Sequence, residues 1–256
     1  MVYSRKYKIL GVNIDLVNYA EVIKTIGQWR REGQRNYVII ANPHSLMSCT
    51  RDALMREATR EAALIVPDGI GMIWGARLLR YEHCGRVTGP TLMLKLCDDG
   101  RQAGYRHFFY GGREGVAEEM ASNLTQRFSG LTVAGTYAPP FRTLTPEEDA
   151  QVVERINRSR PDIVWVGLGA PKQEKWMAAH LGRIKATAMV GVGAAFDFHS
   201  GNAKWAPRWV RDLGLEWIWR LAQEPRRMWR RNLDNPLFLL AVINQRCETF
   251  WFNGRD

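Results

Sequence analysis

Short apolar runs alternate with amphipathic stretches of 12 to 16 residues along most of this chain, and that alternation leaves few folds open. Tyr37 to Ile40, Ala63 to Val66, Arg106 to Tyr110, Leu131 to Tyr137, Asp162 to Leu168 and Thr187 to Val192 read as strands. Tyr7 to Leu10 and Val12 to Leu16 read as a short β pair. Helical periodicity fills the gaps: Tyr19 to Arg31, Ser45 to Arg60, Pro90 to Ala103, Gly115 to Phe128, Pro146 to Ser159, and a stretch running to Leu181. Thr145, Pro146 and Glu148 form a capping box with proline at the first helical position. Strands alternating with helices of this length imply an α/β, Rossmann-like fold, with a mostly parallel sheet and helices on both faces.

In such folds the chemistry gathers where strands end, at the carboxyl edge of the sheet. The sharpest strand end here is Val66-Pro67-Asp68-Gly69-Ile70-Gly71. Pro67 cannot donate to a ladder, and the glycines permit a turn. Asp68 is then either a helix cap or a general base, and judged locally the cap is the simpler role. Gly111 and Gly112 open a second strand-to-helix turn, one that can bring backbone N–H groups to a phosphate. Gly167-Leu168-Gly169-Ala170-Pro171-Lys172-Gln173-Glu174 forms a third. Lys172 suits a phosphate and Gln173 a base or sugar, although Gln173 and Glu174 equally suit a solvated first turn. Gly191-Val192-Gly193 leads to Asp197 at a fourth. Neither a phosphate-binding G-x-x-x-x-G-K-[ST] loop nor a G-x-S-x-G elbow is present. The five histidines, His44 among them, show no metal-ligand spacing and read as structural.

Beyond about His199 the strands stop. Lys204 to Arg231 holds eight basic residues against three acidic ones and five of the ten tryptophans. The formal net charge of +10, half of it in this stretch, suits a polyanionic partner: nucleic acid, anionic lipid or a phosphorylated substrate. Arg220, Arg227 and Arg230 share one helical face unless Pro225 breaks the register. Four widely spaced cysteines argue against a zinc site or a disulfide scaffold and fit a reducing cytoplasm. The N-terminus lacks an apolar signal core, and the apolar run Leu237 to Ile243 is far too short to span a bilayer, so an integral membrane protein is not expected.

Read together, these blocks resemble the WecG/TagA/CpsF family of bacterial glycosyltransferases, glycosyltransferase family 26. The resemblance runs through Ala41-Asn42-Pro43-His44, the block around Asp68, Arg86-Val87-Thr88-Gly89, Phe109-Tyr110-Gly111-Gly112, Gly167 to Glu174 and Gly191 to Asp197. In the tail it continues through Ala206-Pro207, Gly214-Leu215-Glu216-Trp217 and Arg220 to Arg227. It implies an inverting, metal-independent transfer, with no cofactor, from a UDP-sugar donor to an undecaprenyl-diphosphate-linked sugar. The donor sugar would be N-acetylmannosamine, its uronic acid or glucose. The enzyme would lie peripherally on the cytoplasmic face of the bacterial inner membrane and serve cell-surface polysaccharide synthesis. By the same resemblance Asp68 is the base, and Gln173 contacts the nucleotide sugar. Arg220, Arg227 and Arg230, with Arg231 competing for the last place, close over the diphosphate when the tail meets an anionic membrane.

The substrate-binding candidates are thus Asn42, Arg86 and Thr88, then Gly111, Gly112, Gly169, Lys172, Gln173 and Asp197, and the three tail arginines. A catalytic core over 1–198 and a basic, tryptophan-rich helical appendage over 199–256 are expected, with a cut near Ser200 leaving a folded core. One departure stands out: Ile40 replaces a threonine that many relatives carry, so that hydroxyl contact is either absent or supplied by another group such as Ser45. Exposed tail tryptophans make a homo-oligomer plausible. A nucleic-acid-binding α/β protein is the first rival, but no reading motif is present, and no nucleic-acid partner is expected. A Rossmann-type oxidoreductase is the second, and it lacks the G-x-G-x-x-G fingerprint with its downstream acid.

Overall fold

The computed structural model describes residues 5–82 and 85–253. Six strands form one all-parallel sheet: β3 (Asn36–Ala41), β4 (Leu64–Pro67), β5 (Arg106–Gly111), β6 (Thr132–Tyr137), β7 (Ile163–Gly167) and β8 (Ala188–Gly191). Their order is β4-β3-β8-β7-β5-β6. The inner strands are largely apolar because both faces are covered, whereas edge strand β6 is half-buried along its length. Val38, Ile40, Val66, Phe109, Trp165 and Val190 pack on one face. Tyr37, Ile39, Ile65, Phe108, Val166 and Met189 pack on the other.

Helices α1 (Tyr19–Arg31), α5 (Gly89–Asp99) and α6 (Val116–Arg127) supply Val22, Ile26, Leu92, Leu96, Met120 and Leu124 to the first face. The second is covered by α2 (Pro43–Arg51), α3 (Ala53–Glu61), α4 (Ile70–Leu78), α7 (Pro146–Arg158) and α8 (Lys172–Ala179), which contribute Leu46, Met55, Met72, Ile156 and Met177. The antiparallel hairpin β1 (Lys6–Ile9) and β2 (Val12–Asp15) lies beside edge strand β4, where buried Asp15 accepts the Ile65 N–H at 2.8 Å. That contact shields an edge otherwise open to pairing.

One sequence reading needs correction and another needs bounds. The stretch 45–60 is not one helix: α2 ends and α3 begins at Asp52, which is extended and accepts the Met55 N–H. Its carboxylate also pairs with Lys175. A helix was expected after Asp68 without bounds, because Ile70 to Leu78 has no polar face and includes Gly71 and Gly75; it is α4. It forms against its neighbours, and a Cβ on Gly75 would lie 2.8 Å from Ile9 Cδ1 and 3.0 Å from the Phe238 ring.

After α9 (Ala195–Ser200) the chain is helical: α10 (Arg208–Asp212), α11 (Glu216–Gln223), α12 (Pro225–Asn232) and α13 (Asp234–Asn253). Among the described residues, no helix is long and apolar enough to cross a membrane. Pro225 starts α12 and Glu224 is non-helical, so the tail arginines do not share one continuous face. α13 packs on α2 and α4, which cover the second face of the sheet, and its Phe238 and Val242 are fully buried in the second core.

Candidate active site

A cavity of about 1970 Å³ opens along the carboxyl ends of β3, β4, β5, β7 and β8 and is roofed by α11 and α12. The Asp68 N–H donates to Ala41 O at 2.7 Å, which holds the ends of β3 and β4 together. The chain then reverses at Gly69, whose φ of 84° is one a side chain would resist. Gly69, not Asp68, precedes the first turn of α4, and no side chain caps that helix. The cap role is therefore unfilled, and the Asp68 carboxylate belongs to the cavity wall.

Burial pushes the Asp68 carboxyl up to about 7, and the nearby Glu216 charge adds to this. Arg86, Arg231 and Arg220 pull the other way. A carboxylate that gives up its proton near neutrality is matched to accepting one there.

Arg86 is held beside Asp68 by the Val87 N–H, which donates to Pro67 O at 2.9 Å. Its guanidinium donates to Glu216 Oε2 and to Arg211 O, each at 2.6 Å. Trp205 Nε1 donates to the other Glu216 oxygen at 3.2 Å. Arg86 thus clasps the tail to the core. Thr88 is buried at the cavity edge, where its N–H donates to Tyr19 Oη at 2.9 Å.

Asn42 lines the cavity but also caps α2, accepting from the Ser45 N–H at 3.1 Å. Ser45 Oγ is spent on Asn42, accepting from its N–H and donating to its carbonyl, both at 2.8 Å. Ser45 is buried and off the cavity wall, so it does not replace the missing hydroxyl, and Ile40 faces the cavity instead.

Gly112 and Gly169 line the cavity. Gly111 does not: it is a packing position, where a Cβ would lie 2.6 Å from the Gly167 backbone. The Ala170–Pro171 bond is cis, and Lys172 begins α8 at the cavity rim. Gln173 is only 5% exposed and is not a solvated first-turn residue. Its Nε2 donates to Glu174 Oε1 at 2.9 Å, while its Oε1 lacks a protein partner. Glu174 is fully enclosed, and burial raises its pKa. Asp197, on α9, also faces the cavity.

From the tail, Arg220 reaches the cavity and lies 5.5 Å from the Phe198 ring centre. Of the two competing arginines, Arg231 lines the cavity, and its charge acts on both Asp68 and Glu174. Arg230 is exposed, over the Trp229 ring at 5.2 Å, and is not part of the wall. The Arg227 side chain lies outside the described residues. Sequence reasoning missed Glu216 as the residue facing both Asp68 and Arg86; its only signal was the Gly214-Leu215-Glu216-Trp217 block.

The family model for the glycosyl transferase WecG/TagA/CpsF family matches residues 7–250. Relatives named N-acetylglucosaminyldiphosphoundecaprenol N-acetyl-beta-D-mannosaminyltransferase are similar along most of their length. The one from Bacillus spizizenii (strain ATCC 23059 / NRRL B-14472 / W23) is 30% identical, over 91% of this chain and 87% of the relative. That from Staphylococcus aureus (strain MW2) is 29% identical, over 93% and 92%. That from Bacillus subtilis (strain 168) is 30% identical, over 80% and 77%. With its six-stranded parallel sheet and acid-bearing cavity, the chain belongs to the WecG/TagA/CpsF family and is a glycosyltransferase.

Proposed function

We propose that this enzyme transfers an N-acetylmannosamine-type sugar from UDP to a sugar on undecaprenyl diphosphate, with inversion and without a metal. The named relatives support the donor and acceptor classes. The observation that carries the chemistry is Asp68, tuned to about 7 and surrounded by Arg86, Arg220 and Arg231.

In this reading the acceptor hydroxyl gives its proton to Asp68 as its oxygen attacks the anomeric carbon. The bond from that carbon to the UDP phosphate breaks, and UDP leaves with the electron pair. Positioned base catalysis contributes roughly 10²–10⁴-fold. Charge gathering on the leaving diphosphate is met by Arg220 and Arg231 through charge-assisted hydrogen bonds. The turns at Gly112 and Gly169 suit the nucleotide's phosphates, and the unpaired Gln173 Oε1 suits an amide N–H on the donor.

The roof also carries the membrane contact. Trp209, Trp217, Ile218, Trp229, Leu233 and Leu240 are exposed on the same stretch as Arg208, Arg226 and Arg230. Rings at headgroup level with cations beside them suit peripheral binding to the cytoplasmic leaflet.

The test is a donor screen against a short-chain prenyl-diphosphate N-acetylglucosamine, with and without chelator. UDP-N-acetylmannosamine should be turned over in both conditions. Preference for its uronic acid or for UDP-glucose would overturn the donor assignment, and loss of activity in chelator would overturn the metal-free chemistry.

A further inference from the structure

His44 is the second residue of α2, directly after the end of β3, and lines the cavity. Its Nδ1 lies 2.6 Å from Oδ2 of Asp234, the buried first residue of α13. The other Asp234 oxygen accepts from Arg51 Nη1 at 2.9 Å. Two helices, α2 through His44 and Arg51 and α13 through Asp234, therefore fix the plane of the imidazole. A carboxylate at Nδ1 keeps the ring's hydrogen there and leaves Nε2 with its lone pair. Among the described residues Nε2 has no hydrogen-bond partner, nor is it sealed inside the protein. The residue itself is part of the cavity wall.

The strand order says which part of the cavity this is. Asp68 and His44 follow β4 and β3, at one end of the sheet. Gly112 and Gly169 follow β5 and β7, on the far side of β8. A donor seated on the glycine turns must be attacked from the Asp68 side, because the attacking hydroxyl delivers its proton to Asp68. The acceptor therefore occupies the half that holds His44. Apolar surface lines that half, from half-exposed Trp74 on α4 and from Pro236 and Leu239 on α13, as a prenyl-linked substrate requires.

We propose that His44 Nε2 accepts a hydrogen bond from a sugar hydroxyl of the lipid-linked acceptor, and that Asp234 is the positioning residue holding the required tautomer. This assignment rests on the transferase reading. His44 binds and orients; Asp68 keeps the proton transfer.

The experiment uses full-length protein, with KM for acceptor and donor measured separately and UDP affinity measured by calorimetry. His44→Leu should raise the acceptor KM about 3- to 10-fold, the worth of one neutral hydrogen bond. Its donor KM and UDP affinity should stay within about twofold. His44→Gln, whose amide oxygen can accept the same bond, should recover most of the loss. Asp234→Asn should resemble His44→Leu; should it fail to fold, the Leu and Gln pair decides. An unchanged acceptor KM in His44→Leu, or an equal rise in the donor KM, overturns the assignment. A wild-type protein that binds no UDP and converts no acceptor overturns the transferase reading itself, and this assignment with it.

Discussion

At the scale of single residues, Asp68 makes two opposite demands. The folded protein holds its proton up to about 7, whereas an unfolded aspartate releases it near about 3.9. Between those values the folded state binds more protons, so this residue's contribution to stability declines as pH rises. Catalysis needs the ionised form, so kcat/KM should climb with pH through an apparent pKa near 7. Asp68→Asn should abolish transfer yet melt higher than wild type, with a gap that widens from about pH 4 to about pH 8. Melting curves across that range check the sign; a variant that melts lower at high pH would contradict the buried carboxylate. The position of Asp68 was legible from Pro67 and the glycines around it. Its environment was not, because Glu216, Arg220 and Arg231 arrive from nearly 150 residues or more away in sequence.

At the scale of elements, the break at Pro225 decides which cations face the site. Met228 and Arg231 are three residues apart on α12 and share its inner side; Met228 is buried and both line the cavity. Arg230, one residue earlier than Arg231, turns out toward solvent. With a soluble acceptor, Arg231→Gln should lower kcat/KM by at least about 10-fold, whereas Arg230→Gln should stay within about twofold. On anionic vesicles the order should reverse for binding, each surface cation being worth about 1 kcal/mol. Equal effects of the two substitutions on transfer would mean that α12 presents a different face. The parallel sheet was readable because most strands are apolar runs, and four of the six end in glycine or proline. The bounds of helix α4 were not, since a helix buried on several sides shows no polar period, and the split at Asp52 was hidden because a cap within a charged stretch looks like any surface acid.

At the scale of the molecule, the boundary drawn at 199 crosses the packing. Phe238 and Val242 belong to the same core as Ile9 and Met72, so a chain cut near Ser200 loses part of its interior. Phe238→Ala should cost about 3–5 kcal/mol in urea unfolding, the usual penalty for emptying a buried aromatic site. A loss below about 1 kcal/mol would show α13 to be an ornament on the fold. Composition pointed to a cationic tail but gave no hint that its last helix packs back onto α2 and α4 of the core. Leu237 to Ile243 reads as a plain apolar run until its partner Gly75 is known.

The roof over the cavity is pinned at both ends: Arg86 grips Glu216 where it begins, and Asp234 is gripped by His44 and Arg51 just after it ends. A strap fixed twice has no loose end to peel away, and Arg220 and Arg231, carried between the two pins, are held over the cavity as a pair.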